Sequence, residues 1–218
     1  MIVTIVIAVI VFADFRFRFL QKRAEIDRLG GSTVAGPPLL YRKMKADSRY
    51  PEFVRIALNS NFGSWVFDQF PVVYSVDLRR IRDPEKVDRG LEIAAEFGSV
   101  LELVLYQSAV TDAHLAKYLH SFPQLLRLKL NETTITDAGI AHVRNLPELE
   151  LLNVQRTALT NAAVPDLAAV SKLGELDIAE TKITDVDAIR HAHPRCKIIR
   201  RTVTLTDTTD RLRIKFGR

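Results

Sequence analysis

The chain has a single cysteine, Cys196, among its 218 residues. That excludes an internal disulfide framework and any cysteine-built zinc cluster, so stability has to come from an apolar core. A Gly-rich phosphate loop, a G-x-S-x-G elbow and an H-E-x-x-H pair are also missing, which removes the commonest signatures of nucleotide, acyl-transfer and metalloprotease chemistry. The formal charge is +5, but no aromatic-interleaved basic face or reading motif accompanies it, and no nucleic-acid partner is expected. The histidines His114, His120, His142, His191 and His193 fall on predicted helices or at their ends. His191-x-His193 is half a metal site at most, because the spacing brings no carboxylate or thiol to it. The expectation is no metal, no cofactor, no catalytic residue and no enzyme.

Charge is absent from Met1 to Ala13, "MIVTIVIAVIVFA", and the amphipathic "DFRFRFL" follows. Thirteen helical residues reach only about 20 Å, short of a hydrocarbon core of roughly 30 Å. Extension through Leu20, with Arg16 and Arg18 snorkelling to the interface, makes up the length. No basic residue precedes the run and no small-x-small cleavage site follows it, so an uncleaved anchor fits better than a signal peptide. A buried β-branched core strand is the other reading of the run. Arg16, Arg18, Lys22, Arg23 and Arg28 place the flanking positive charge on the C-terminal side. This favours contact with anionic head groups and a cytoplasmic position for the remaining chain, a single-pass membrane protein.

The expected divisions are a membrane-anchor helix at 1–20, a basic juxtamembrane helix and linker at 21–50, an N-terminal cap at 51–72, repeats at 73–201 and a basic tail at 202–218. "LQKRAEIDRL" continues the anchor helix until Gly30-Gly31 ends it, and Ser32 to Pro38 reads as loop. The aromatics Phe62, Trp65, Phe67 and Phe70 are expected to shield the first apolar layer of the repeats.

Four segments align on L-x-x-L-x-L: Val100, Leu103, Leu105; Leu125, Leu128, Leu130; Leu149, Leu152, Val154; and Leu173, Leu176, Ile178. Their starts step by 25, 24 and 24 residues. Val73, Val76, Leu78 is a degenerate earlier copy, and "CKII" from Cys196 begins one more strand. The alternating leucines predict a short strand with one buried face. Ser108, Thr133, Thr157 and Thr181 then recur where a buried hydroxyl can bond the backbone of the turn leaving the strand.

Val110-Thr111-Asp112, Ile135-Thr136-Asp137, Leu159-Thr160-Asn161 and Ile183-Thr184-Asp185 follow. Threonine is suited to N-cap, and the aspartate after it to the positive end of the helix dipole. Val110, Ile135 and Leu159 match Leu115, Ile140 and Val164 as hydrophobic staples. Phe122-Pro123 and Leu146-Pro147 close their helices. Pro165 falls early in the third helix, which is therefore expected to start late or distorted, and Asp83-Pro84 starts the helix of the degenerate unit.

"TTITDAGIAHVRNLPELELL", Thr133 to Leu152, resembles the leucine-rich repeat family in its T-x-I-T-D-A-G-L form, and the likeness covers about Val73 to Ile199. The run "QKRAEIDRLGG" is similar to the basic helix that follows a single membrane helix in bacterial proteins of this type. The resemblance implies an α/β fold, a right-handed solenoid or horseshoe with a parallel concave sheet and convex helices. It also implies a protein or peptide partner, although no F-box-like segment precedes the repeats.

On such a sheet the concave-face residues include Asp77, Arg79, Glu102, Tyr106, Arg127, Lys129, Asn131, Asn153, Arg156 and Asp177. These are the expected partner-binding residues, and Tyr106, Arg127, Lys129 and Arg156 are the side chains best suited to a hot spot. An enzyme with a site between the aromatic cap and the first repeats, and a structural scaffold of the membrane surface, are the alternative functions.

Overall fold

The computed structural model describes residues 16–36 and 72–200. Most of the expected anchor (1–15), the aromatic cap and the basic tail lie outside those residues. No helix among the described residues is long and apolar enough to cross a membrane.

Inward leucines and short helices alternate through the repeat region and stack in chain order. The strands are β1 (Ser32–Gly36), β2 (Val72–Asp77), β3 (Glu102–Val104), β4 (Arg127–Lys129), β5 (Leu151–Asn153), β6 (Glu175–Asp177) and β7 (Lys197–Ile199), forming one sheet in the order β1 to β7. From β2 onward every pair is parallel, and Val76, Leu103, Leu128, Leu152, Leu176 and Ile198 lie side by side. Of these the first five are fully buried, so each neighbouring repeat covers the apolar layer its predecessor exposes.

The helices are α2 (Pro84–Glu96), α3 (Asp112–Tyr118), α4 (Asp137–Ile140), α5 (Val164–Ala168) and α6 (Asp187–Ala192). Asp83 accepts a bond from the Glu85 amide at 3.0 Å to start α2, and Gly98, with φ of +63°, follows its end. The staple residues Val110, Leu115, Ile135, Ile140, Leu159 and Val164 are all buried. In the third unit a 3-10 turn, Asn161–Ala163, precedes α5, which has Pro165 in its first turn. This is the late start that proline imposes. The last unit departs from expectation. Its helix begins at Asp187 rather than at Asp185, whose carboxylate instead accepts the Asp187 amide at 2.9 Å.

The hydroxyl column closes each strand. Ser108, Thr133, Thr157 and Thr181 donate to the carbonyls of Leu105, Leu130, Val154 and Ile178 at 2.6 to 2.7 Å. The next residue back, by contrast, takes an unexpected conformation. Arg80, Gln107, Glu132, Arg156 and Glu180 all have φ between +54° and +61°, at a cost of about 1 kcal/mol each for a non-glycine residue. In this conformation the amides of Arg80, Gln107, Glu132 and Arg156 still reach the carbonyls of Tyr106, Asn131, Gln155 and Ala179 in the following repeat. The sheet ladder thus runs on through the turn, and its hydrogen bonds offset the strain.

The N-terminal end corrects the expected loop at Ser32 to Pro38, because Ser32–Gly36 is a strand antiparallel to β2. Before it, residues 16–28 are helical, here α1. Gly30, with φ of +92°, ends this helix, and the amides of Gly31 and Gly30 bond the carbonyls of Ile26 and Asp27, which is a Schellman stop. Far from projecting away as a tether, α1 buries Ile26 completely and Phe19 to 8% exposure. The Phe19 ring meets Phe97 edge-on at 5.9 Å. Lys22 pairs with Glu96 at 2.6 Å, Glu25 with Arg89 at 2.7 Å, and Arg23 donates to Thr33. Lys22 and Arg23, expected to face lipid, are spent on this docking. A side chain at Gly31 would strike the Asp77 carbonyl at 2.7 Å and Leu78 at 2.8 Å, so glycine is what lets α1 and β1 close over the sheet's first edge.

Candidate interaction surface

Strand alternation puts two columns on the open face of the sheet. The first runs Ser75, Glu102, Arg127, Leu151, Glu175, Lys197, and the second Asp77, Val104, Lys129, Asn153, Asp177, Ile199, each in cross-strand register. The sheet therefore brings the expected residues together, but their chemistry divides them.

Asp77, Asn153 and Asp177 accept the amides of Arg79, Gln155 and Ala179 at 3.0 Å each. These are Asx turns that close the ends of strands, and they occupy one acceptor of each side chain. Arg79 also pairs with Asp77 at 2.7 Å, donates to the Tyr106 hydroxyl at 3.0 Å and lies over its ring. Glu102 accepts from Lys129 at 2.8 Å and from the nearly buried Ser75 hydroxyl at 3.2 Å. Burial works against its charge, yet Lys129 and Ser75, with the nearby charge of Arg127, outweigh that and hold the Glu102 carboxyl below the usual range. Glu175 pairs with Lys197 at 3.1 Å. Arg127 is exposed and Asn131 is half-exposed.

Arg156 belongs to a different row, the positive-φ turn residues. Arg80 donates to Gln107, Gln107 to Glu132 at 2.7 Å, and Arg156 bridges Glu132 at 3.7 Å and Glu180 at 2.7 Å. The row is a side-chain ladder along one margin of the sheet. Nothing in the sequence marks these non-glycine residues for a left-handed turn.

A second ladder lies at the helix starts, and it gives the T-D motif a further meaning. Asp112 accepts the Thr136 amide at 2.9 Å and its hydroxyl at 2.6 Å, and Asp137 does the same for Thr160 at 2.8 and 2.6 Å. Thr136 and Thr160 meanwhile cap their own helices by accepting from Ala138 and Ala162. The aspartate faces the neighbouring repeat as well as its own helix end. A side chain on Gly139 would collide with the Asp112 carboxylate, which accounts for the glycine in "DAGI". Asn161 repeats the arrangement with Thr184, accepting from its amide and donating to its hydroxyl, each at 2.8 Å.

Sequence reading missed one cluster, where α2 and α3 meet. Asp88 holds Lys117 through both oxygens at 3.0 Å, and His114 Nε2 lies 3.9 Å from it. Lys117 also covers the ring of Tyr118, whose buried hydroxyl lies beside the Asp88–Lys117 pair. Its members come from units whose spacing is irregular, so the repeat pattern could not pair them. His114 Nδ1 accepts the Thr111 amide at 3.1 Å, so its proton sits on Nε2, and the ring serves as the reciprocal half of a helix cap.

Burial pushes the His114 pKa down, with Asp88 opposing and Lys117 adding to the drop. A folded-state value below the unfolded one of about 6.5 means that the unfolded chain binds more protons. This contribution to stability is present above the unfolded pKa and is lost as pH falls through the folded value. Between about pH 7.5 and about pH 5, urea stability is expected to fall more in the wild type than in His114→Gln, which keeps a capping acceptor. Equal slopes would remove His114 from the account.

His191 Nδ1 and His193 Nε2 each bond a backbone carbonyl, those of Asp187 and Ala168, at 2.8 and 3.1 Å. Both members of the candidate half metal site therefore have a structural task. Among the described residues no group of three or more histidine, cysteine or acidic side chains could hold a metal ion.

No family model matches the chain, and no curated protein matches it. Solved structures similar to it include a pollen receptor kinase 3, at 13% identity over 59% of this chain and 73% of that one, with a TM-score of 0.38. The actin-binding site 2 of leiomodin-1 is similar at 15% identity over 76% and 95%, with a TM-score of 0.35. An internalin from Listeria monocytogenes follows at 15% identity over 57% and 52%, also at 0.35. Overlaps this loose leave the architecture to rest on the chain's own strand order and register.

Proposed function

We propose that this chain is a membrane-anchored binding module that presents the open face of its parallel sheet to a protein or peptide, without catalysis. The observation that supports it most is the division of labour among polar groups. The margin and helix-start ladders fasten repeat to repeat, while Arg127, Leu151 and Asn131 remain on the open face with no bond from their side chains. Surfaces where an arginine and apolar groups stand together are the ones that anchor partners. The uncharged residues 1–13 support attachment at a membrane, and the positive charge C-terminal to them supports a cytoplasmic side for the repeats.

Charge reversal at Arg127 and Lys129 together is expected to abolish capture of the partner by crosslinking in membranes, with the far-UV spectrum unchanged. Capture that persists at the wild-type level would remove the open face from the reading.

A further inference from the structure

We propose that the open face takes an acidic peptide segment, one carboxylate of which is gripped by Arg127 while an aliphatic neighbour rests on Leu151. The proposal rests on the binding-module reading and names the partner's chemistry.

Most charges on the open face of strands β2 to β7 are already satisfied within the fold. Glu102 is the cross-strand neighbour of Arg127 and lies within reach of its charge, yet makes neither a hydrogen bond nor an ion pair with it. Instead its Oε1 accepts from Lys129 and its Oε2 from Ser75. On the other side Leu151 intervenes, and the next carboxylate, Glu175, is held by Lys197. Asp77 is held by Arg79 and a turn amide, and Asp177 by the Ala179 amide. Among the described residues of this face Arg127 alone carries a charge with neither a hydrogen bond nor an ion pair, and it is exposed.

A guanidinium offers a planar fork of donors that matches a carboxylate through two parallel bonds. Leu151, about 4.8 Å away across the ladder, is half-exposed on the same face. One acid and one aliphatic side chain, one or two residues apart on an extended peptide, span that distance. A nucleic acid suits the face poorly, because its closely spaced phosphates would meet Glu102, Glu175 and Asp177 around Arg127. An anionic vesicle meets the same obstacle.

The test is selection of a random peptide library on the folded chain. Peptides enriched by the wild type are expected to carry Asp or Glu within two residues of Leu, Ile or Val. Arg127→Gln should weaken such a peptide about tenfold, Arg127→Glu should turn the preference toward Lys or Arg, and Lys182→Gln should change nothing. Enrichment without an acidic residue, or affinity that survives Arg127→Gln to within about twofold, would overturn the proposal while leaving the binding face intact. Concentration-dependent self-association, or binding to phosphatidylserine vesicles, that is abolished by Arg127→Gln would give the site to another occupant and overturn it too. Failure of every peptide to bind would overturn the binding-module reading along with it.

Discussion

Replacing Ile26 by aspartate is expected to destabilise the chain by more than about 3 kcal/mol in urea unfolding, the scale of an unpaired buried charge. Ile26 is completely buried, and the close packing at Gly31 places it beside Leu78, with its Cγ2 3.0 Å from where a side chain on that glycine would begin. A carboxylate there would be buried beside Leu78 and the Asp77 carbonyl, which offers it no donor. Helix α1 would have to leave the repeats, drawing β1 from β2 and exposing Val73, Val76 and Leu78, all of which are fully buried. Ile26→Val should cost only about 1 kcal/mol, since it removes one methyl group. If residues 16–36 were merely a tether between a membrane helix and an independent repeat domain, both substitutions would stay within about 0.5 kcal/mol. That result would return the capping role to segments outside the described residues.

The second large effect belongs to the helix-start ladder. Asp137→Ala is expected to cost about 2 kcal/mol, because two hydrogen bonds from Thr160 to a charged acceptor disappear together. Asp137→Asn should cost less than about 1 kcal/mol. The reason is on display one repeat later, where Asn161 makes both contacts with Thr184 by accepting through oxygen and donating through nitrogen. The pair Asp137 and Thr160 should show a coupling of about 1 kcal/mol in a double-mutant cycle with Thr160→Ala. Additive costs would mean that aspartate acts only on its own helix dipole, the reading that the sequence alone suggested.

What the sequence made legible is what recurs. Leucines at fixed intervals predicted the strand register residue for residue, since a slip of one position would turn every leucine outward. The hydroxyl column, the staples, the starts of α2 and α4 and the displacement caused by Pro165 were readable because each is a local rule acting within one unit. Features that join two units were not. Asp137 and Thr160 both stood out as local signals, but no periodicity states that the first binds the second.

Features that occur once were lost for a related reason. "STVAG" has no repeat to compare with and lies beside Gly-Gly, so its pairing with β2 left no trace, and α1 was read by its charge rather than by the two residues, Phe19 and Ile26, that it buries. The cross-strand register of the two columns was legible, although Ser75 and Val104 in them are buried, but which charges remain open depends on pairings such as Glu102 with Ser75 and Lys129. Those are set by side-chain reach across strands and not by composition.

The account turns on the open sheet face being the working surface, and position-specific photocrosslinking in native membranes addresses that most directly. A photoreactive residue would replace Asn131 or Leu151 on the sheet face, and in separate variants Glu148 or Lys172 in the turns that lead into β5 and β6. The account predicts one shared crosslinked product from the two sheet positions, lost when Arg127 is reversed to glutamate, and none from the other pair. Crosslinks formed from Glu148 and Lys172 while the sheet positions stay silent would contradict it.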